Sequence, residues 1–431
     1  MLVHRDNLIH CALIAGGMLC LTISVSALSI QGAFPGMNMY DLYRNFFLLA
    51  IIVFGLEGIN AYYTLEFRKG FQYGLLYTQV TSSLYHQLYD AGFCIKRLWW
   101  NEMPLIKLSF SKNLMTGTLK IENSVKFNHK LDDLDFSAAL GNYKVERHYI
   151  SKDSNWYIYE LLRADVSFKI EFDSSSDFKS YSAKIHPYKL FLDARTRCKL
   201  QHTLIVGQTG SGKTYALYSL ILQMLQKQVP YQLYFADPKG SSIAVLGNAI
   251  APNSTASEFN DIIDLMETFV DEMNDRKEEL ADKLHGQLDA DYTTFQLAPR
   301  VLIIDEYAAF SAVLAAKDKK TRDHVEELMH QIILMGRQLG FFIFLVMQKS
   351  DAKLISTALR ENVPLKVVLG NAEEQTYVTA FGNGIDIPPM NYAQGDGVFM
   401  EPTLAPTPKY VQFPTLEFDI LKEAKRLVGV V

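Results

Sequence analysis

Gly207-Gln208-Thr209-Gly210-Ser211-Gly212-Lys213-Thr214 follows directly on the apolar run Thr203-Leu204-Ile205-Val206 and leads into Tyr215-Ala-Leu-Tyr-Ser-Leu-Ile-Leu-Gln-Met-Leu225. The octapeptide fits G-x-x-x-x-G-K-[ST], and its setting is strand, loop, amphipathic helix. Small residues let consecutive backbone N–H groups curl around a phosphate, while the helix that follows points its positive end at the same anion. This predicts a nucleoside triphosphate site, with Lys213 reaching the β- and γ-phosphates and the Thr214 hydroxyl on Mg²⁺. A chance Gly/Ser-rich turn would lack both the flanking pattern and a matching second motif.

That second motif is Arg300-Val-Leu-Ile-Ile-Asp305-Glu306, four apolar residues ending in two carboxylates. The run reads as a strand buried on both faces. Asp305 is expected to complete the Mg²⁺ shell and Glu306 to polarise the water that attacks the γ-phosphate. A carboxylate at the second position favours hydrolysis over simple nucleotide sensing. The competing reading, two acids capping a strand end, leaves the phosphate loop without the partner it needs.

Around these motifs strands and helices alternate as in a doubly wound sheet. Gln232–Asp237, Val301–Asp305, Phe341–Met347 and Leu365–Leu369 read as strands, with a charged helix over Glu258–His285. Ligands of such sheets sit beyond the carboxyl ends of the strands, where Asp237, Asp305 and Gln348 fall.

The rest of the chain has a different character. At 431 residues, 49% of them apolar, it exceeds one typical domain, and its apolar excess lies at the front. Leu8–Ile30 is long enough as a helix, roughly 35 Å, to cross a hydrocarbon core about 30 Å thick. A second span is expected over Phe46–Tyr63. A cleaved leader is the alternative for the first, but the apolar run is long, the basic flank (His4, Arg5) is thin and another span follows. Glu57 either faces a partner helix or lumen, or lies close enough to the end to reach headgroups. Arg5, Arg68 and Lys69 flank the spans, against Arg44 between them, which places both termini in the cytoplasm. The expected location is the cytoplasmic membrane, multi-pass.

Residues 71–190 read as a small α/β domain, with helices at Leu75–Ala91 and Asp132–Leu140 and strands at 105–110, 117–122, 143–149 and 156–160. Trp99-Trp100 suits core packing or membrane-proximal anchoring better than base stacking. Cys11 and Cys20 lie in the first span; Cys94 and Cys198 are isolated, so neither a disulfide framework nor a zinc site is expected. The expected division is 1–70 membrane anchor, 71–190 small domain and 191–431 ATPase domain.

Over roughly 186–415 the blocks occur in a recognisable order: the phosphate loop, Ala236-Asp-Pro-Lys239, Asp271-Glu-Met-Asn-Asp-Arg276, Val301-Leu-Ile-Ile-Asp-Glu306, Met335-Gly-Arg-Gln-Leu-Gly340 leading to Gln348, and Gly395-Asp-Gly-Val-Phe-Met400. The chain resembles the FtsK/SpoIIIE family of DNA-translocating ATPases. Its short two-span anchor resembles the coupling proteins of Gram-positive conjugative plasmids and integrative elements. The resemblance implies a P-loop, RecA-like α/β core with a mostly parallel sheet and helices on both faces, working as a hexamer on DNA. It assigns Gln348 as γ-phosphate sensor and Arg337 as the arginine offered to a neighbouring subunit, and it assigns no chemistry to Asp237 or Lys239. It also implies relaxase and secretion-channel partners.

Forty-two cations against forty-seven acids leave a net charge of −5, which argues against a broad basic DNA-binding face. A ring needs only a few phosphate contacts per subunit, and Lys317, Lys319, Lys320 and Arg322 are the local candidates for sequence-independent contact. Chromosomal members of the family continue into a winged-helix domain where this chain stops at Val431, so loading is expected to come from a relaxase-bound origin. Those members also carry Arg-Pro where Lys349-Ser350 stands. A type VII-like protein-secretion ATPase, a chromosomal segregation translocase and a nucleotide-sensing scaffold are the alternatives. Tandem ATPase modules would mark the first, and Glu306 speaks against the last.

Overall fold

The structure is a computed structural model that describes residues 7–29, 39–96, 101–123, 134–229, 231–284, 288–348, 360–385, 387–388 and 390–430. Two compact units divide it, Met1–Val166 and Ser167–Val431.

The first unit begins with helices α1 (Asn7–Ser29) and α2 (Met39–Thr64), which pack on each other. Small residues allow the approach: a Cβ on Gly17 would meet the Phe54 ring at 2.8 Å, and the Ser24 hydroxyl donates to the Tyr43 carbonyl at 3.0 Å. Among the described residues, the stretch Tyr40–Thr64 is long and apolar enough to cross a bilayer; α1 contributes a shorter apolar stretch, Ala12–Ala27. Helix α2 starts seven residues before the expected Phe46, because Asp41 and Arg44, paired at 3.2 Å, satisfy each other on its first turns.

Helix α3 (Phe71–Asp90) follows, and then an antiparallel sheet of β1 (Ile106–Phe110), β2 (Thr116–Glu122), β3 (Tyr143–Ile150) and β4 (Trp156–Arg163) in the order β1-β2-β4-β3. The alternating pattern of β1 puts Ile106, Leu108 and Phe110 inward. They meet Val80, Leu84 and Leu88 of α3, and the Tyr73 hydroxyl accepts the Phe110 N–H at 3.0 Å. The helix expected over Asp132–Leu140 does not form in its described part. Residues 137–142 are turns, because the Asp135 carboxylate takes the Ser137 N–H at 2.8 Å while Phe136 and Leu140 are pulled into the core. Trp99-Trp100 lies outside the described residues.

The second unit is built on eight strands. Five of them, β6 (Thr203–Gly207), β7 (Gln232–Ala236), β9 (Arg300–Ile304), β10 (Phe341–Met347) and β11 (Leu365–Leu369), lie parallel with the short edge strand β8 (Thr255–Ala256). The antiparallel pair β12 (Asp396–Glu401) and β13 (Ala405–Gln412) closes the other edge, giving the order β8-β7-β9-β10-β6-β11-β12-β13. The sheet is therefore mixed, within an α/β fold.

Continuous apolar runs such as Phe341-Phe-Ile-Phe-Leu-Val-Met347 are buried along their whole length because both faces are covered. Phe342, Phe344 and Val346 join the core beneath α5 (Lys213–Leu225) and α6 (Ser242–Ile250). On the opposite face, Phe341 meets Phe269 of α7 (Phe259–Leu284) edge-on at 5.1 Å. The long α9 (Lys319–Leu339) packs against α7 on that side, after the shorter α8 (Tyr307–Ala315).

Residues 167–190, which the sequence placed with the membrane-proximal domain, belong to this unit. β5 (Glu171–Phe172) pairs with β14 (Thr415–Leu416), and Phe172 and Phe178 sit in the same core as α5. Among the described residues Cys20, Cys94 and Cys198 are free cysteines.

Candidate nucleotide site

Every expected loop residue falls where the carboxyl ends of the parallel strands converge. Gly207 closes β6, Gln208, Thr209 and Gly210 are exposed, and Lys213 and Thr214 open α5 half-buried. The turn requires its glycines: Gly210 and Gly212 have φ of 85° and 91°, a region costly for any residue with a Cβ. Space above Gly210 is open, while Gly212 presses on the backbone of Gly395. The N-terminus of α5 has no side-chain cap, so its first N–H groups remain available to a ligand.

The loop is backed by residues distant in sequence. The Gly395 N–H donates to the Ser211 carbonyl at 2.8 Å, and a Cβ on Gly370 would stand 2.9 Å from the Ser211 side chain. Behind Gly395 the buried Asp396 accepts from Tyr410 at 2.7 Å and from Gln412 at 3.2 Å; Lys169 lies 3.4 Å from its other oxygen and donates to the Gln394 carbonyl at 2.6 Å. Gly395-Asp396 stands in a recognisable block of the sequence, but nothing adjacent to it in the chain signals this buried supporting role. Lys169 carried no local signal, since only the fold brings it across from the irregular segment that precedes the Glu171–Phe172 strand and α4 (Ser175–Ser182).

Asp237, Asp305 and Gln348 each stand one residue past the end of a strand. Burial first, and then the neighbouring Asp237 carboxylate, raise the Asp305 carboxyl above the usual range, against the pull of the Lys213 ammonium. Glu306 adopts a left-handed conformation (φ 51°, ψ 55°) at the head of α8 and is only 7% exposed. One of its oxygens accepts the Gln348 backbone N–H at 3.4 Å, and the other faces the Lys239 ammonium at 3.2 Å. Lys349 and Ser350 lie outside the described residues.

Arg337 sits elsewhere. It is exposed in the last turn of α9, just before the amino end of β10, so the length of that strand separates it from the loop of its own chain. It borders an open groove with Lys277, Asp291, Leu334 and Gln338. The basic cluster after α8 is exposed throughout, and two of its members are engaged within the chain: Lys317 lies over the Phe259 ring at 4.7 Å and Arg322 donates to the Ala315 carbonyl at 3.3 Å.

The residues present fit a magnesium-bound triphosphate. The Ser211 hydroxyl is buried without a partner inside the loop, and Gly210 leaves the cradle open on its side. Among the described residues no group of three or more His, Cys, Asp or Glu could hold a metal alone. Mg²⁺ is usually held by one or two protein oxygens together with substrate phosphates, and the Thr214 hydroxyl and Asp305 carboxylate are the residues that would supply them.

Residues 182–293 match the sequence profile of the FtsK/SpoIIIE family. Over these residues the chain is similar to the FtsK/SpoIIIE family. Among curated proteins it is similar to the Ftsk domain-containing protein YdcQ of Bacillus subtilis, 31% identical over 185 residues, which cover 43% of this chain and 37% of that protein. It is also similar to the DNA translocase FtsK of Caldanaerobacter subterraneus, 27% identical over 39% of this chain and 24% of that one. The chain thus spans well under half the length of these FtsK-domain relatives. In fold, it is similar to the pCW3 conjugation coupling protein TcpA, solved in monomer form with ATPγS, with a TM-score of 0.51 and 18% identity over 76% of this chain and 93% of that one.

Proposed function

We propose that the chain is a membrane-anchored, ATP-driven DNA translocase acting as a coupling protein that delivers DNA to a conjugative, type IV-like secretion channel. The observation that carries the reading is the convergence of Lys213, Thr214, Asp305 and Glu306 at one end of the sheet while Arg337 stands exposed at the other. In this reading Lys213 and the loop amides hold the β- and γ-phosphates, and Thr214 and Asp305 hold Mg²⁺, which neutralises charge on the phosphate oxygens. Glu306 takes the hydrogen bond of the attacking water, and Gln348 senses the terminal phosphate beside it. Arg337 cannot serve its own loop, so it serves a neighbour's, which makes hydrolysis depend on a ring, taken here as a hexamer.

The apolar helices α1 and α2 anchor the protein in the cytoplasmic membrane, with the residues before α1 and after α2 on the cytoplasmic side. Lys317, Lys319, Lys320 and Arg322 contact DNA phosphates without reading sequence, and a relaxase and channel proteins supply the direction. Nucleotide turnover by the full chain in lipid nanodiscs tests this. DNA should raise ATP hydrolysis severalfold, and the Lys213→Ala and Glu306→Gln variants should abolish the effect. Turnover indifferent to single- and double-stranded DNA, in an assembled oligomer, would remove the translocase reading and favour a protein-secretion ATPase.

A further inference from the structure

Asp237 and Lys239 belong to one hydrogen-bonded turn beside Glu306. The fully buried Asp237 carboxylate accepts the backbone N–H of Lys239 at 3.1 Å, of Ser241 at 2.7 Å and of Ala244 at 3.1 Å, and the Ser241 hydroxyl at 2.8 Å. Its own carbonyl takes the Gly240 N–H at 2.9 Å, and Gly240 has φ of 60°. Pro238 lies inside this turn. The turn is thus fixed at both ends, and Lys239 leaves it from a set position.

The Lys239 side chain is 47% exposed, yet its ammonium lies 3.2 Å from a Glu306 side chain that is 9% exposed. The second Glu306 oxygen is taken by the Gln348 N–H, and the backbone of Glu306 holds a conformation that non-glycine residues rarely adopt. A carboxylate that polarises water must offer an oxygen to that water. Here one oxygen faces the Lys239 ammonium as an ion pair and the other accepts the Gln348 N–H, so both are held toward partners within the chain.

We infer that Lys239 is a positioning residue that parks the Glu306 carboxylate, so that turnover requires the Lys239–Glu306 pair to open. The inference rests on the proposed ATPase reading and deepens it. The half-exposed ammonium can leave to solvent without disturbing the Asp237 turn, whereas Glu306 stays anchored by its buried backbone. The parked pair keeps hydrolysis low when no DNA is engaged.

The test compares the full chain in nanodiscs with Lys239→Met and Lys239→Arg, reading ATP turnover with and without DNA and the affinity for a non-hydrolysable ATP analogue. Lys239→Met should raise DNA-free turnover about fivefold, the scale of one lost ion pair with a half-exposed partner. DNA-stimulated turnover should change less than twofold, and analogue affinity likewise. Lys239→Arg, which keeps the charge, should retain low DNA-free turnover. A Lys239→Met enzyme with unchanged or lower DNA-free turnover, in a chain whose wild type is active, would overturn the inference and leave the ATPase reading intact. Absence of turnover in the wild type under every condition would remove both.

Discussion

Gly212 and Gly395 touch backbone to backbone: a Cβ on Gly212 would stand 2.6 Å from the Gly395 amide nitrogen. The last glycine of the phosphate loop is thus required twice, for its left-handed φ of 91° and for this contact, and Gly395, at φ 81°, is required for its own conformation. Gly395→Ala should cost about 1–3 kcal/mol of stability through strain. It should weaken ATP-analogue binding roughly tenfold by displacing Ser211, as read by titration and thermal melting.

Lys213→Ala should abolish analogue binding while leaving the unfolding free energy of the ligand-free chain within about 0.5 kcal/mol of wild type, since the side chain is only half-buried. Glu306→Gln should behave differently. It should keep analogue affinity and lower turnover about 10²- to 10⁴-fold, the range for loss of a positioned base.

Asp305 gives a pH signature. Its carboxyl is raised above the unfolded range by burial and by Asp237, so the folded chain binds more protons there than the unfolded chain, and this residue's contribution to stability falls as pH rises through that window. Asp305→Asn should therefore raise the melting temperature of the nucleotide-free chain at pH 7. The gain should vanish below about pH 4, where the side chain is neutral in both states. Melting curves across pH, with no nucleotide, check the sign.

Tyr410→Phe removes the hydroxyl that donates to buried Asp396 at 2.7 Å. A hydrogen bond to a charged group left unmade costs about 1.5–3 kcal/mol. For a unit of this size that lowers the melting temperature by roughly 3–10 °C. Turnover should fall with it, because Asp396 stands directly behind the loop.

What the sequence made legible was local. The phosphate loop, the strand ending at Asp305 and the helix over Phe259–Leu284 each follow from residues adjacent in the chain, and each stands within a residue or two of its expected place. The strands of the first unit were readable for the same reason, because alternation is a nearest-neighbour pattern. The failed helix near Leu140 shows the limit: Phe136 and Leu140 have helical spacing, but Asp135 spends the backbone's hydrogen bonds on a turn. Non-local support was invisible. Nothing around Lys169 or Gly370 signals the loop, because only the strand order places them there.

Sequence left Lys239 without chemistry for a related reason. A lysine after Asp-Pro has meaning only when the strand carrying Asp237 is known to lie beside the one carrying Asp305.

The opening residues of the second unit have a mechanical consequence. Ser167 and Phe168 donate to Gln412, Lys169 holds Gln394 and Asp396, and the Ile170 carbonyl receives the Thr415 N–H. This strap is a strut under the nucleotide loop. An ATPase fragment begun at residue 191 would keep every signature motif and lack the strut, while one begun before Ser167 would retain it. Tension applied to the chain at Ser167 would enter the sheet at Gln412, the last residue of β13, and pass from the adjoining Phe413 N–H to the Gly395 carbonyl and from the Gly395 N–H to Ser211.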